Sequence, residues 1–298
     1  MLKIVEKRNW FFLISLLVIL PGLISLFVWK LNLGVDFTGG SLLEFKFDRS
    51  IDKNQLIETG KSVNIGIVSV QTSGENTYLL RTHPLSDKDG KALLAALKKK
   101  YPTLVEISKE TIGPTIGQEL LQKALLALLV ASVMIVFYIA WAFRSVPKPA
   151  SSWRFGVCAI IALLHDVLVL VGVFSLLGHF FAVEIDSLFV TAALTVIGFS
   201  VHDTIVVFDR IRENLNKGSY QTFEETVSNS IMQTLGRSLN TSLTVILVLL
   251  ALLVFGGTSI RWFVVALLVG IFSGTYSSIF NAAPLLVVWQ NLSDRRVS

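Results

Sequence analysis

The sequence predicts a polytopic α-helical membrane protein of six transmembrane helices, with a small α+β domain of ferredoxin-like type inserted after the first. Three observations predict it. Six apolar runs are each long enough to cross a bilayer. Hydrophobic residues make up 53% of the 298-residue chain and charged residues only 16%, too apolar a balance for an ordinary soluble domain. One polar stretch, residues 30–123, changes to the alternating periodicity of strands.

Residues 1–9 carry Lys3, Lys7 and Arg8, and the uncharged run 10–29 follows. A cleaved signal peptide would have a shorter apolar core and a small-residue cleavage site; here Trp10 and Trp29 bracket the run as interfacial anchors do. Pro21-Gly22 is expected to kink this helix without ending it. In 30–123, Leu43, Phe45 and Phe47 alternate with Glu44 and Lys46, and Val68/Val70, Tyr78/Leu80 and Val105/Ile107 repeat the rhythm. Helices fit between these strands over about 53–64, capped by Asp52, and about 87–101, capped by Ser86, while Ser73–Asn76 is a hairpin turn. The order strand-helix-strand-strand-helix-strand is the split βαβ arrangement. Five further spans follow within 124–290, at about 124–143, 155–177, 187–208, 238–255 and 262–289, leaving 291–298 as a tail.

Charge orients the chain. One set of short segments carries Lys3, Lys7, Arg8, Arg144, Lys148, Arg154, Arg210, Arg212, Lys217, Arg237, Arg295 and Arg296, whereas the other carries only Arg261. The positive-inside rule then puts both termini in the cytoplasm and the ferredoxin-like domain outside, in the periplasm where an outer membrane exists. The net charge of +5 is accounted for by these flanks, so no nucleic-acid partner is expected. Between the fourth and fifth spans, Phe223, Val227 and Ile231 recur at helical spacing, as in an interfacial or partner-docking helix or one lying back on its own bundle. Cys158 is the single cysteine.

Candidate chemistry lies in the fourth span. Asp203 falls about 9 Å inward of Asp209 at the helical rise, beside His202. Intramembrane acids carry function or, protonated and hydrogen-bonded, hold helices together. His165-Asp166 repeats the pair in the third span; adjacent residues diverge by about 100° on a helix, which disfavours a metal site and leaves a proton relay or a structural role. Arg237 opens the fifth span ahead of Asn240, Thr241 and Thr244, and would come within reach of Asp203 if those helices are neighbours; otherwise it snorkels to headgroups. Ala266, Gly270, Gly274 and Ser278 form a small-residue packing face in the sixth span. Gly60-Lys61-Ser62 has Gln55 where a phosphate-binding loop needs glycine, which argues against ATP hydrolysis and leaves an ion gradient as energy source.

Gly34-Val-Asp-Phe-Thr-Gly-Gly40, Ile112-Gly-Pro-Thr-Ile-Gly117 and the segment from Val201 to Glu213 together resemble the SecD/SecF family of bacterial protein-export membrane proteins, and Arg237–Ser242 fits the same pattern. The resemblance spans essentially the whole chain. It implies half of an RND-like bundle, completed by a homologous SecD partner, acting after the SecYEG channel and the SecA motor, with YajC as a further partner. It also implies a non-enzymatic role, without cofactor, in which the proton-motive force promotes late-stage movement of preproteins across the inner membrane. Asp203 falls on the family's proton-linked acid, Arg237 on its arginine, and Gly34, Asp36, Gly39 and Gly40 on its glycine-rich motif. His202 stands where the family often has Asn, and some relatives couple to sodium. Half of a small-molecule exporter and a passive scaffold are the competing readings.

Overall fold

The computed structural model describes residues 4–147, 150–218 and 220–294. Lys3, Lys148, Arg295 and Arg296 of the charge pattern lie outside them. In chain order the elements are α1 (Arg8–Val28), a single turn α2 (Val35–Thr38), β1 (Gly40–Lys46), α3 (Lys53–Ser62), β2 (Ile67–Gly74), β3 (Thr77–Thr82), α4 (Asp87–Lys100), β4 (Val105–Ile112), α5 (Pro114–Ala142), α6 (Ser152–Phe181), α7 (Ser187–Lys217), α8 (Phe223–Phe255), α9 (Arg261–Ser277) and α10 (Ala283–Asp294). Six helical segments are long and apolar enough to cross a membrane, the last running through α9 and α10.

The α+β domain is a four-stranded antiparallel sheet in the order β2-β3-β1-β4. Strand alternation buries Leu43, Phe45, Tyr78 and Leu80 under α3 and α4, whose Leu56, Leu93 and Leu97 complete the core. Asp52 caps α3 through Asn54 N at 3.0 Å, and Ser86 caps α4 through Asp89 N at 3.2 Å. The hairpin turns at Asn76, which takes a left-handed φ of 54°.

Hydropathy alone understates three helices. Gly113 and Pro114 start α5 immediately after β4, ten residues ahead of the apolar run, because proline suits a first helical turn. The helices α7 and α8 continue beyond the apolar region and form an antiparallel hairpin, with Asn214 Nδ2 donating to Ser230 Oγ at 2.8 Å. Val227 and Ile231 are fully buried in the bundle core, so the amphipathic stretch packs on its own chain and is not a separate interfacial helix. The sixth span is interrupted by a π-helical turn at Ser278–Ala282. Pro284 supplies a cause, since it has no N–H for the carbonyl four residues back. Pro21, by contrast, lies within an unbroken α1.

Close backbone approach sets the bundle. A Cβ on Gly22 of α1 would stand 2.8 Å from the Cα of Gly172 on α6, and one on Gly270 of α9 would collide with a methyl of Val196 on α7. Gly274 faces Ser200 in the same interface, so the small-residue face of α9 is spent on α7. Gly172→Val should therefore cost about 1–3 kcal/mol through overpacking against backbone that cannot yield. Gly198→Ala, with open space around its Cβ position, should be neutral or slightly stabilising. Thermal unfolding of the two purified variants in one detergent checks both.

Candidate functional site

At mid-bundle α6, α7 and α9 converge on a buried carboxylate. Asp166 is wholly inaccessible. Its Oδ2 accepts from Ser200 Oγ of α7 at 2.5 Å and Ser277 Oγ of α9 at 2.7 Å, and its Oδ1 from Ser273 Oγ of α9 at 2.7 Å. His165 Nδ1 adds a fourth contact, 2.9 Å from Oδ1. Ser273 and Ser277 are one helical turn apart, so a single face of α9 offers both hydroxyls. These four contacts occupy both oxygens of the carboxyl group and pin three helices to one point. With Nδ1–H donating to Asp166, His165 presents Nε2 as a buried acceptor with no partner among the described residues. The imidazole bends back onto its own neighbour, so divergence of adjacent side chains does not keep this pair apart. It also lines an apolar cavity of about 540 Å³ between α1, α6, α8 and α9, beside Ser15 and Tyr276.

Asp203 sits three residues beyond Ser200 on α7 and is 3% exposed. Beside its carboxyl lie the hydroxyls of Ser242 on α8 and Thr275 on α9, which bond each other at 2.5 Å. Its Oδ2 is buried with no hydrogen-bond partner among the described residues. Next to it, Thr204 Oγ1 and Ser278 Oγ meet at 2.8 Å. The two intramembrane acids therefore differ: Asp166 is saturated with donors, and Asp203 is left with an unfilled acceptor.

Neither His202 nor Arg237 forms a hydrogen bond or ion pair with Asp203, although the His202 ring lies near enough to act on it electrostatically. His202 is exposed, one residue around the helix from Asp203. Arg237 is exposed as well, and its side chain forms no hydrogen bond or ion pair with a described residue. The expected Asp203–Arg237 contact is absent because Ser238 and Ser242, one turn apart, occupy the face of α8 turned to α7. Arg237, Asn240, Thr241 and Thr244 all face outward.

The Gly34–Gly40 motif ties the α+β domain to α7. Gly34 N donates to the Ile185 carbonyl at 2.8 Å, and Ile185 N to the Asn32 carbonyl at 2.8 Å. Asp36 Oδ2 accepts from Ser187 N at 2.9 Å and Ser187 Oγ at 2.5 Å, so it caps the first turn of α7 from another segment, alongside Asp186, which accepts from Phe189 N at 2.8 Å. Gly39 and Gly40 have φ of 72° and 142°, and a Cβ on Gly39 would fall 2.7 Å from Pro114 Cα. Both the backbone angle and the space exclude side chains there. The Ile112–Gly117 segment is the opposite wall of this contact, where Gly117 abuts Gly39 N.

Sequence reasoning did not pick out Ser200, Ser242, Ser273, Thr275 or Ser277. The available signal was the hydroxyl-rich run Ser273–Ser278 within an apolar span, which can line one helix face with donors for an acid elsewhere. Asp166→Ala should loosen the bundle by leaving several buried donors unpaired, at about 1–3 kcal/mol for each group left unsatisfied, whereas Ser273→Ala alone should cost about 1–2 kcal/mol. Denaturation of the purified variants in detergent compares the two.

Two family models match the chain: "Protein export membrane protein SecD/SecF, C-terminal" over residues 92–292, and the "SecD/SecF GG Motif" over residues 24–51. The SecF protein translocase subunit of Thermobaculum terrenum is 47% identical over 100% of this chain and 96% of its own length. The SecDF protein translocase subunit of Bacillus subtilis is 37% identical over 96% of this chain, which spans only 38% of that longer protein. The crystal structure of SecDF from Thermus thermophilus, a translocon-associated membrane protein, superposes with a TM-score of 0.85 at 34% identity, covering 96% of this chain and 38% of that one. With the six-helix bundle, the capped glycine motif and full-length similarity in agreement, the chain belongs to the SecD/SecF family of protein-export membrane proteins, as a multi-pass membrane protein of the SecF type.

Proposed function

We propose that this protein is an accessory subunit of the Sec preprotein translocase that works with a SecD partner and uses the proton-motive force to promote late-stage preprotein movement across the inner (cytoplasmic) membrane. Both termini lie in the cytoplasm and the α+β domain lies outside. The observation that carries this reading is Asp203: a carboxyl group buried at mid-helix with one unpartnered oxygen. An ionised, unpaired carboxylate at membrane depth costs at least about 2.5–3.5 kcal/mol, so the group gains most by taking up a proton or meeting a cation. Longer SecDF relatives, in which this segment is fused to further sequence, support the SecD partnership. SecYEG and YajC remain part of the proposal as further partners, and the proton is the coupled ion.

In this reading, protonated Asp203 rests among the Ser242 and Thr275 hydroxyls, and Arg237 stays at the surface. Loss of the proton draws the carboxylate and Arg237 together. Antiparallel pairing of α7 with α8 puts Arg237 about one turn from Asp203 along the axis, so a rotation of α8 closes the distance. His202, beside Asp203 on the exposed side of α7, is the further group in the proposed proton coupling. The device is a two-state element biased by one charge, with Asp166 as its fixed reference.

The test is export of a preprotein into inverted membrane vesicles at constant ATP, with and without a proton gradient. Asp203→Asn and Arg237→Met should each reduce the gradient-stimulated part to the level seen without a gradient and leave the ATP-driven part intact. Unchanged stimulation in properly assembled complexes would favour a passive scaffold.

A further inference from the structure

Where the α+β domain meets the bundle, among the described residues Arg81 pairs with Glu184, which also has the carboxylates of Asp36 and Asp186 near it. Arg81 of β3 donates Nη1 to Glu184 Oε1 at 2.8 Å, and Nη2 to Thr38 Oγ1 at 2.8 Å and the Leu33 carbonyl at 3.2 Å. Gln71 of β2 donates Nε2 to the Ala182 carbonyl at 3.1 Å and to Glu184 Oε1 at 3.4 Å. The Arg81 and Glu184 side chains are only 16% and 18% exposed. The charged groups acting on Glu184 are Arg81 from β3, Asp36 from α2, and Asp186 two residues along the same loop. Asp36 and Asp186 are committed to the N-terminus of α7, the helix that carries Asp203. Fully ionised, these groups of the half-buried joint set three negative charges against one positive, and like charges at close range resist being brought together.

Burial pushes the Glu184 carboxyl above the usual carboxylate range; Arg81 pulls it down, while Asp186 and Asp36 add to the rise. Asp186 is raised too, first by burial, with the Phe189 N–H opposing. The direction follows from linkage. Undocking returns Glu184 to water and to its ordinary value, so the docked state binds the proton more tightly. Docking is thus strongest below the ordinary carboxylate value and weakens as pH rises through the raised docked value.

We propose that this joint is a proton-sensitive clasp: proton uptake by Glu184 and Asp186 tightens the α+β domain against the N-terminus of α7, and proton loss loosens it. Arg81 and Glu184 are then positioning residues that couple the outer domain to the helix bearing Asp203. The functional meaning rests on the reading above, in which this face is the acidic side of a proton gradient.

The test uses the full chain in lipid vesicles, with Cys158 replaced by Ala and spin labels on cysteines introduced at the exposed positions Lys88 of α4 and Phe181 at the end of α6. The inter-label distance distribution should be narrow at about pH 5 and broaden toward longer distances at about pH 8, bracketing a raised carboxylate. Glu184→Gln should be narrow at both pH values, because it keeps an acceptor for Arg81 without the charge. Arg81→Met should be broader than wild type at the higher pH. A wild-type distribution identical at both pH values, or a Glu184→Gln variant that responds as wild type does, would overturn the clasp. Because the readout is distance, a joint indifferent to pH alongside loss of gradient-driven export in Asp203→Asn would sink the clasp alone, and a responsive joint with unaffected export would sink only the coupling reading.

Discussion

The bundle depends on how one carboxyl group, that of Asp166, is paired away from water. Asp166 receives Ser200, Ser273, Ser277 and His165 at once, and these contacts fix the depth and rotation of α6, α7 and α9 relative to one another. Each hydroxyl contact across helices contributes modestly, about 0.6–1.7 kcal/mol in comparable membrane interfaces. Their joint effect is specificity, because sliding any one helix by a residue would leave several buried polar atoms unpaired. The hydroxyls must come close to reach a single carboxylate, and that is why Gly270 and Gly274 sit beside Val196 and Ser200.

Asp203, by contrast, keeps one buried oxygen with no hydrogen-bond partner among the described residues. It shares α7 with Ser200, which holds Asp166, and with Ser187, which Asp36 caps from the α+β domain. From Ser187 to Asp203 is about 24 Å at the helical rise. A continuous helix over that distance transmits rotation or tilt with little loss, so an event at Asp203 and a contact at the outer joint share one mechanical element. The α+β domain meets the bundle through polar contacts at Arg81, Gln71 and Asp36 and through Phe37, which is buried with Ile185 and Phe189.

Much of this was legible from residue order. The number of spans, the split βαβ order and the caps at Asp52 and Ser86 follow from local periodicity and side-chain chemistry. The helix ends were less legible: α5, α7 and α8 run past the apolar region on tertiary support that hydropathy does not register. Asp203 stood out by depth alone, and Asp166 was visible without a role, since its meaning lies in serines 34, 107 and 111 residues away. Pairing of Asp203 with Arg237 could not be judged without the rotation of α8, which turns Ser238 and Ser242 inward in its place. The cap of α7 by Asp36 joins segments 151 residues apart, beyond any local pattern.

The proposed function requires Asp203 to exchange a proton. Infrared difference spectroscopy of the protein in lipid, stepping pH on one side, reads it directly through the carbonyl stretch that only a protonated carboxylic acid displays. A pH-dependent band that disappears in Asp203→Asn and persists in Glu184→Gln is the predicted result. A band that survives in Asp203→Asn with the same pH dependence would contradict it and return Asp203 to a role in helix packing.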